Sequence, residues 1–384
     1  MKLWQIVVVV TLGIAYGLIE PGRLVYALGH ATLYVFLPAL LFEAAWNLNS
    51  RAMRRQWMAI ATLAGPGVLL TAAIVTGALS IVRIPFGPAL LTGAILSATD
   101  PIAVVAVFRR LKIPVTLATI VECESLFNDA VAVALYRGVL IALTLGVTGM
   151  GVIARVTMDT LAGAAGGVVL GIALAYAAAR LLRNRGNVTV QIVATAFCAY
   201  GAYFAADYLR LSGIFATIAS GIALRYFERA WLTLRIADDV NRFWDLTALL
   251  ANVLVFFMVG AALQIGRVAH EPIFAAACIV AIAVARILVA GLLLPGPYPR
   301  EWMDVVRVAG MRGGLSLALA LAIPPSLPYR QAIVDATFAV ALATLAAGSL
   351  TIAPAVKRAA ARTSFPAEAQ NARQSGPADP RAKR

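Results

Sequence analysis

Long apolar runs, broken at intervals by short polar stretches, occupy the chain from Leu3 to about Ala359. A run of about 20 apolar residues, rising 1.5 Å per residue as a helix, spans the roughly 30 Å hydrocarbon layer of a bilayer. Charge, Gly and Pro divide the pattern into segments at about 2–19, 26–47, 56–82, 88–108, 115–140, 150–180, 188–207, 212–228, 240–265, 271–293, 300–323 and 331–359. Lipid offers backbone groups no partner, so such segments must bond within themselves. The pattern therefore predicts an all-α polytopic membrane protein of about 12 transmembrane helices. The first run, Leu3 to Ile19, lacks a small-residue cleavage pattern and reads as a retained span rather than a signal peptide.

Composition agrees with this reading. The 384 residues are 61% hydrophobic and only 13% charged, about half the usual charged fraction of a soluble domain. The net charge of +14 invites a nucleic-acid partner, but the basic residues form no single patch. They alternate by loop. Arg51, Arg54 and Arg55, then Arg109, Arg110 and Lys112, Arg180, Arg183 and Arg185, Arg225, Arg229, Arg235 and Arg242, and finally Arg300 fall in even-numbered loops. The odd-numbered loops carry single arginines, Arg23, Arg83, Arg210, Arg267 and Arg330, with Arg137 and Arg155 flanking the fifth. Lys/Arg enrichment marks the cytoplasmic side. Both termini are thus expected in the cytoplasm, in a multi-pass protein of the cell inner membrane, and the excess charge reflects topology rather than nucleic acid. Cys123, Cys198 and Cys278 are scattered, and His30 and His270 are the only histidines, so no disulfide framework, zinc site or cofactor is expected. The tail 363–384, rich in Ala, Pro, Ser and charge, reads as disordered.

Four stretches carry polar chemistry inside apolar segments. In "LSATDPIAVVAVF", Pro101 cannot continue a helix but suits the first position of a new one, and Ser97, Thr99 and Asp100 are capping residue types just ahead of it. This predicts two half-helices joined by unwound backbone, as at the ion sites of many secondary transporters; a Pro-kinked helix with a capped acid is the plainer alternative. In "ECESLFNDAVAVALY", Ser125 and Asp129 share a helix face with Glu122, while Glu124 and Asn128 lie on the adjacent stripe. Glu122 reads as a residue of the cytoplasmic mouth. Asp129 lies about 10 Å deeper, where a carboxylate marks an ion or proton pathway. In "VVRVAGMRGGLSLALALAIP", Arg312 precedes the flexible pair Gly313–Gly314 and is expected to pair with Glu124, whereas Arg307 reads as snorkelling to an interface. Glu43, in "YVFLPALLFEAAWNLN", reads as a helix-end acid, and the Gly-rich Ala162–Ala177 as close helix packing.

Together, "FLPALLFEAAWNLN", "SATDPIAVVAVF", "ESLFNDAVAVALY", "SGIFATIASGIALRYF" and "GMRGGLSLALALAIP" resemble, in order, the monovalent cation:proton antiporter-1 family of NhaP-type and NHE-type sodium/proton exchangers. The pairing of "TDP" with "ESLFND" some 30 residues on is its most specific element. The resemblance implies inverted repeats, two unwound crossing helices, and a transport domain over 1–362. Its core helices would lie at about 56–140 and 271–359, its dimerisation side at about 1–47 and 188–265, and a linker helix at about 150–180. It further implies that Asp129, assisted by Asp100, Ser125 and Thr99, binds the monovalent cation or the proton. Asn128, Glu124 and Arg312 support the site, and Asn128 in place of a second acid implies electroneutral exchange. Sodium is the expected cation, and the expected assembly in the bilayer is a homodimer. Relatives carry a further helix ahead of the first span, which is expected to be absent here and to bear on dimer stability. The expectation is a transporter and not an enzyme. Its rivals are an intramembrane aspartyl protease built on Asp100 and Asp129, a cation channel without proton coupling, and a sensor that binds ions without moving them.

Overall fold

A computed structural model describes residues 3–19, 32–111, 113–145, 150–182, 187–228, 234–262, 272–294, 296 and 298–362. The tail 363–384, both histidines, and the loop residues Arg23, Lys112, Arg183, Arg185, Arg229 and Arg267 lie outside this set. Among the described residues, every segment foreseen from the apolar pattern is mainly helical, with breaks inside 56–82, 88–108 and 300–323. The helices are α1 (Leu3–Ile19), α2 (Leu37–Asn47), α3 (Ser50–Arg55), α4 (Trp57–Ala64), α5 (Pro66–Ile81), α6 (Phe86–Ser97), α7 (Ile102–Leu111) and α8 (Val115–Thr144). They continue with α9 (Met150–Leu182), α10 (Val188–Tyr208), α11 (Gly213–Glu228), α12 (Leu234–Ala262), α13 (Pro272–Leu292), α14 (Arg300–Ala309), α15 (Gly314–Leu321) and α16 (Arg330–Arg362). A π-helical turn, Thr32–Phe36, leads into α2. Among the described residues, 7 helices are by themselves long and apolar enough to cross a membrane, the kinked pair α4–α5 counting as one span over Trp57–Ile81.

Local chemistry sets the helix boundaries. Proline stands just ahead of α6, α8 and α14 and opens α5 and α13, positions where its missing N–H costs nothing. Asn49 and Asn187 accept hydrogen bonds from the Ala52 and Thr189 amides and start α3 and α10. Hydroxyls inside the spans turn back onto their own helix: Thr71 donates to the Gly67 carbonyl, Thr92 to Pro88 and Thr337 to Ile333. In lipid that leaves no polar atom exposed. Leu12, Ile81, Leu145, Phe197 and Leu292 point outward and are well exposed, as side chains facing acyl chains should be.

Packing sorts the helices into two sets. In one, α4 to α8 and α13 to α16 pack on one another; in the other, α1, α2 and α9 to α12 do so. The helix expected as a linker, α9, packs chiefly on α11 and α10. Without a hydrophobic force between helices in lipid, close backbone approach must supply the contact energy. Gly13, Gly17 and Gly260 bring α1 onto α12, and Gly167 and Gly171 bring α9 onto Ser212, just ahead of α11, and Ala216 within it. The Gly-rich Ala162–Ala177 stretch is thus a packing surface, as its composition predicts. A side chain at Gly171 would overlap the Ala216 carbonyl, whereas nothing lies within 4 Å of one added at Gly77. Overpacking of this kind costs about 1–3 kcal/mol. Gly171→Val should therefore lower the unfolding temperature of the detergent-purified protein measurably, and Gly77→Ala should leave it unchanged.

Candidate ion-binding site

Two helices of the first set are broken at the same depth. Between α6 and α7, Ala98 is extended and residues 99–101 are non-helical. Between α14 and α15, Gly310 and Gly313 have left helical geometry. The unwound stretches cross and are joined backbone to backbone, the Asp100 N–H donating to the Met311 carbonyl at 2.8 Å. Gly313 permits the crossing, because a Cβ there would overlap the Asp100 carboxylate. Ser316 adds a long contact to the Ala98 carbonyl, 3.4 Å.

Breaking a helix in lipid frees carbonyls that carry the negative end of the helix dipole. Two buried arginines meet them. Arg312 donates from Nε to the Leu96 carbonyl at the end of α6 and from Nη1 to Gly310, both at 2.6 Å. Its own backbone N–H goes to Thr344 Oγ1 on α16 at 3.0 Å. Arg286, from the middle of α13, donates to the Val306 carbonyl near the end of α14 and from Nη1 to Glu124 Oε1 at 2.7 Å. Gly310 leaves room for this, since a Cβ there would overlap the Arg286 guanidinium.

The partner of Glu124 is therefore Arg286 and not Arg312, which corrects the pairing expected from sequence. Arg312 is committed to carbonyls of the unwound backbone, and Arg286 reaches Glu124 across the α8–α13 boundary. A signal for Arg286 was present: it is the lone charge in the strongly apolar span Pro272–Leu292, and an intramembrane charge implies a partner. Thr344, also missed, has no such signal, because a threonine in a membrane helix most often bonds its own helix. Arg307 pairs with Asp304 at 2.8 Å and is partly exposed, as a snorkelling residue should be. Glu43 accepts from Asn47 at 2.7 Å near the end of α2.

α8 runs beside the crossing and presents the remaining residues. Ser125 Oγ donates to the Thr99 carbonyl, and the Ser125 and Thr99 hydroxyls lie 3.3 Å apart. Asn128 Nδ2 donates to Thr99 Oγ1 at 3.2 Å. The Thr99 backbone also bonds the Asp129 carboxylate, and Asp100 and Arg312 are close enough to act on it electrostatically. Thr99, Asp100, Ser125, Asn128 and Asp129 thus converge at one place, with Arg312 behind the crossing and the Glu124–Arg286 pair to one side. Asp129 Oδ1 and Asn128 Oδ1 are buried with no hydrogen-bond partner, although such atoms are costly to leave unmatched. The Asp129 carboxylate, the Ser125 hydroxyl and the Thr99 carbonyl, which also accepts from Ser125, together offer oxygen ligands to a hard cation, and the carboxylate alone can take a proton.

Broken helices crossing beside a buried carboxylate, in a bundle that spans lipid, define the architecture of ion-coupled secondary transporters. Comparison with known proteins narrows the class. The family described as sodium/hydrogen exchanger, transmembrane, matches residues 1–358. The Na(+)/H(+) antiporter ApNhaP of Aphanothece halophytica is 32% identical over 368 residues, covering 92% of this chain and 68% of that protein. The Na(+)/H(+) antiporter NhaH of Halobacillus dabanensis is 29% identical over 334 residues, covering 84% of this chain and 82% of that one. The fold is shared with the sodium proton antiporter MjNhaP1 of Methanocaldococcus jannaschii, with a TM-score of 0.77 and 21% identity over 92% of this chain and 91% of that one. The chain belongs to the sodium/hydrogen exchanger family.

The Glu124–Arg286 pair makes a direct test possible. Removing one member of a buried pair costs about 3–5 kcal/mol, because the other charge stays buried alone. Arg286→Met should destabilise the purified protein on that scale, and adding Glu124→Gln should recover part of the loss. A double-mutant cycle in thermal unfolding should give a larger coupling for 124 with 286 than for 124 with 312.

Proposed function

We propose that the chain exchanges sodium ions for protons across the cell inner membrane, the two competing for Asp129. The observation that carries this reading is the Asp129 Oδ1 atom, buried without a hydrogen-bond partner where the broken helices cross. Sodium entering there exchanges hydration water for oxygens of Asp129, Ser125 and the Thr99 carbonyl, with Asp100 adding negative charge from across the crossing. A proton instead neutralises Asp129. Either loaded form can be carried between the two membrane faces as the helix sets move against each other, whereas an empty carboxylate would take bare charge through a low dielectric. That penalty is what couples the two fluxes.

Asn128 supports an electroneutral cycle. It bonds Thr99 Oγ1 at 3.2 Å and carries no charge of its own, so one carboxylate exchanges one cation for one proton. The Lys/Arg distribution supports cytoplasmic termini, and the second helix set, α1, α2 and α9 to α12, is the dimerising side of a homodimer. The protease and channel readings find no support in a family of exchangers.

In proteoliposomes, adding sodium should collapse an imposed pH gradient equally well with and without a membrane potential. Lowering the pH should raise the apparent KM for sodium while leaving the rate at saturating sodium unchanged, as competition at one group requires. Asp129→Asn should abolish exchange in everted vesicles without loss of folded protein; sodium-dependent proton movement in that variant would sink the assignment.

A further inference from the structure

On the side of Asp129 away from Glu122, α8 carries a second buried polar group without a partner. Tyr136 follows Asp129 by 7 residues, two helical turns, which puts it on the same face of α8 about 10 Å further along. Its ring is buried and its hydroxyl has no hydrogen-bond partner. A phenol buried without a partner marks a place that polar matter passes or occupies. Two guanidinium groups act on it electrostatically, those of Arg137 and Arg330.

The two arginines are held differently. Arg330 belongs wholly to the first helix set, its Nε donating to the Ile323 carbonyl at 2.8 Å, just beyond the end of α15. Arg137 crosses to the second set. Its Nη1 meets Asp207 Oδ1 on α10 at 3.2 Å, and it also hydrogen-bonds the Tyr203 side chain. α8 packs on α4 and α6 while α10 packs on α11 and α9, so the two helices have no extended interface of their own. The Arg137 bridge thus ties the two sets together one residue along α8 from Tyr136, at a place where α8 and α10 have no extended contact.

We propose that Arg137 is a gating residue for exchange: held by Asp207 and Tyr203, its guanidinium closes the route from Asp129 past Tyr136 to the membrane face away from Glu122. The inference rests on the exchange reading, because relative motion of the two helix sets is what must break the tie. Its strength fits that task. Both side chains are about two-fifths exposed, 42% and 38%, and an ion pair so open to solvent shifts an equilibrium by no more than about fivefold. Such a bond biases the resting conformation and still yields in every cycle. While closed, it sets a positive charge where a cation would leak through without exchanging.

The test uses the full chain in proteoliposomes, with Val133→Cys as reporter one turn beyond Asp129 on its face and a membrane-impermeant thiol reagent added from the side away from Glu122. Arg137→Gln and Asp207→Asn should each speed labelling, by up to about fivefold, and the exchange of charges, Arg137→Asp with Asp207→Arg, should slow it again. Unchanged labelling in both single variants, or equal acceleration in the charge-exchanged pair, would overturn the gate. Sodium/proton exchange is measured on the same vesicles. Its absence from the reporter protein with the gate intact would overturn the exchange reading, while the labelling rates would still decide the gate.

Discussion

Two helices cannot be interrupted inside a bilayer unless the carbonyls and amides they release find partners in the protein, since lipid supplies none. In this chain the interruption at 98–101 and the interruption at 310–313 meet, and most of the bonds described around them answer that constraint. Asp100 and Met311 join the two backbones. Arg312 takes carbonyls from both broken helices, Thr344 takes the Arg312 amide, and Arg286 takes the end of α14. Each arginine brings a buried charge along with its hydrogen bonds. The Arg286 charge is matched by Glu124, so the acid that lies closest to Asp129 in sequence is spent on architecture.

The site is what remains once that framework is satisfied. Ser125 and Asn128 are tied to Thr99, which fixes the unwound turn of the first break against α8. Asp129 keeps a carboxylate oxygen without a protein partner at the end of this chain of bonds. Oxygen donors held rigidly around one vacant acceptor cost little reorganisation when an ion arrives, and the scaffold itself carries no second titrating acid beside Asp129 on α8, where Asn128 stands. On the proposed reading, selectivity between one cation and a proton is competition for that single group, and coupling follows from the cost of moving it bare.

Much of this was legible in the sequence because it is written in local chemistry. Pro101 behind Ser97, Thr99 and Asp100 forces a helix to stop and restart, and Gly313–Gly314 loosens another. The spacing of Ser125 and Asp129 places both on one helix face whatever surrounds them. The apolar runs place most helices to within a few residues, since a span in lipid has few alternatives; α12, which begins at Leu234 rather than 240, is longer than its apolar run. The ion pair was not legible in the same way. The arginines at 286, 307 and 312 all belong to the two segments that follow residue 271, and only the way α13 and α14 pass α8 decides which reaches Glu124. Thr344 and the Arg137–Asp207 tie are likewise products of tertiary contact between segments far apart in sequence, for which periodicity carries no signal. The packing of α9 on α11 has the same origin: its glycines predict close contact and do not name the partner.

The central claim is that sodium and the proton occupy the same carboxylate in turn. It is tested most directly by adding sodium to the purified, unbuffered protein at mildly acidic pH and following proton release with an indicator dye. The account predicts about one proton released per sodium bound, with the release lost in Asp129→Asn. Sodium binding to the wild-type protein with no proton released at any pH, or undiminished release from Asp129→Asn, would contradict it.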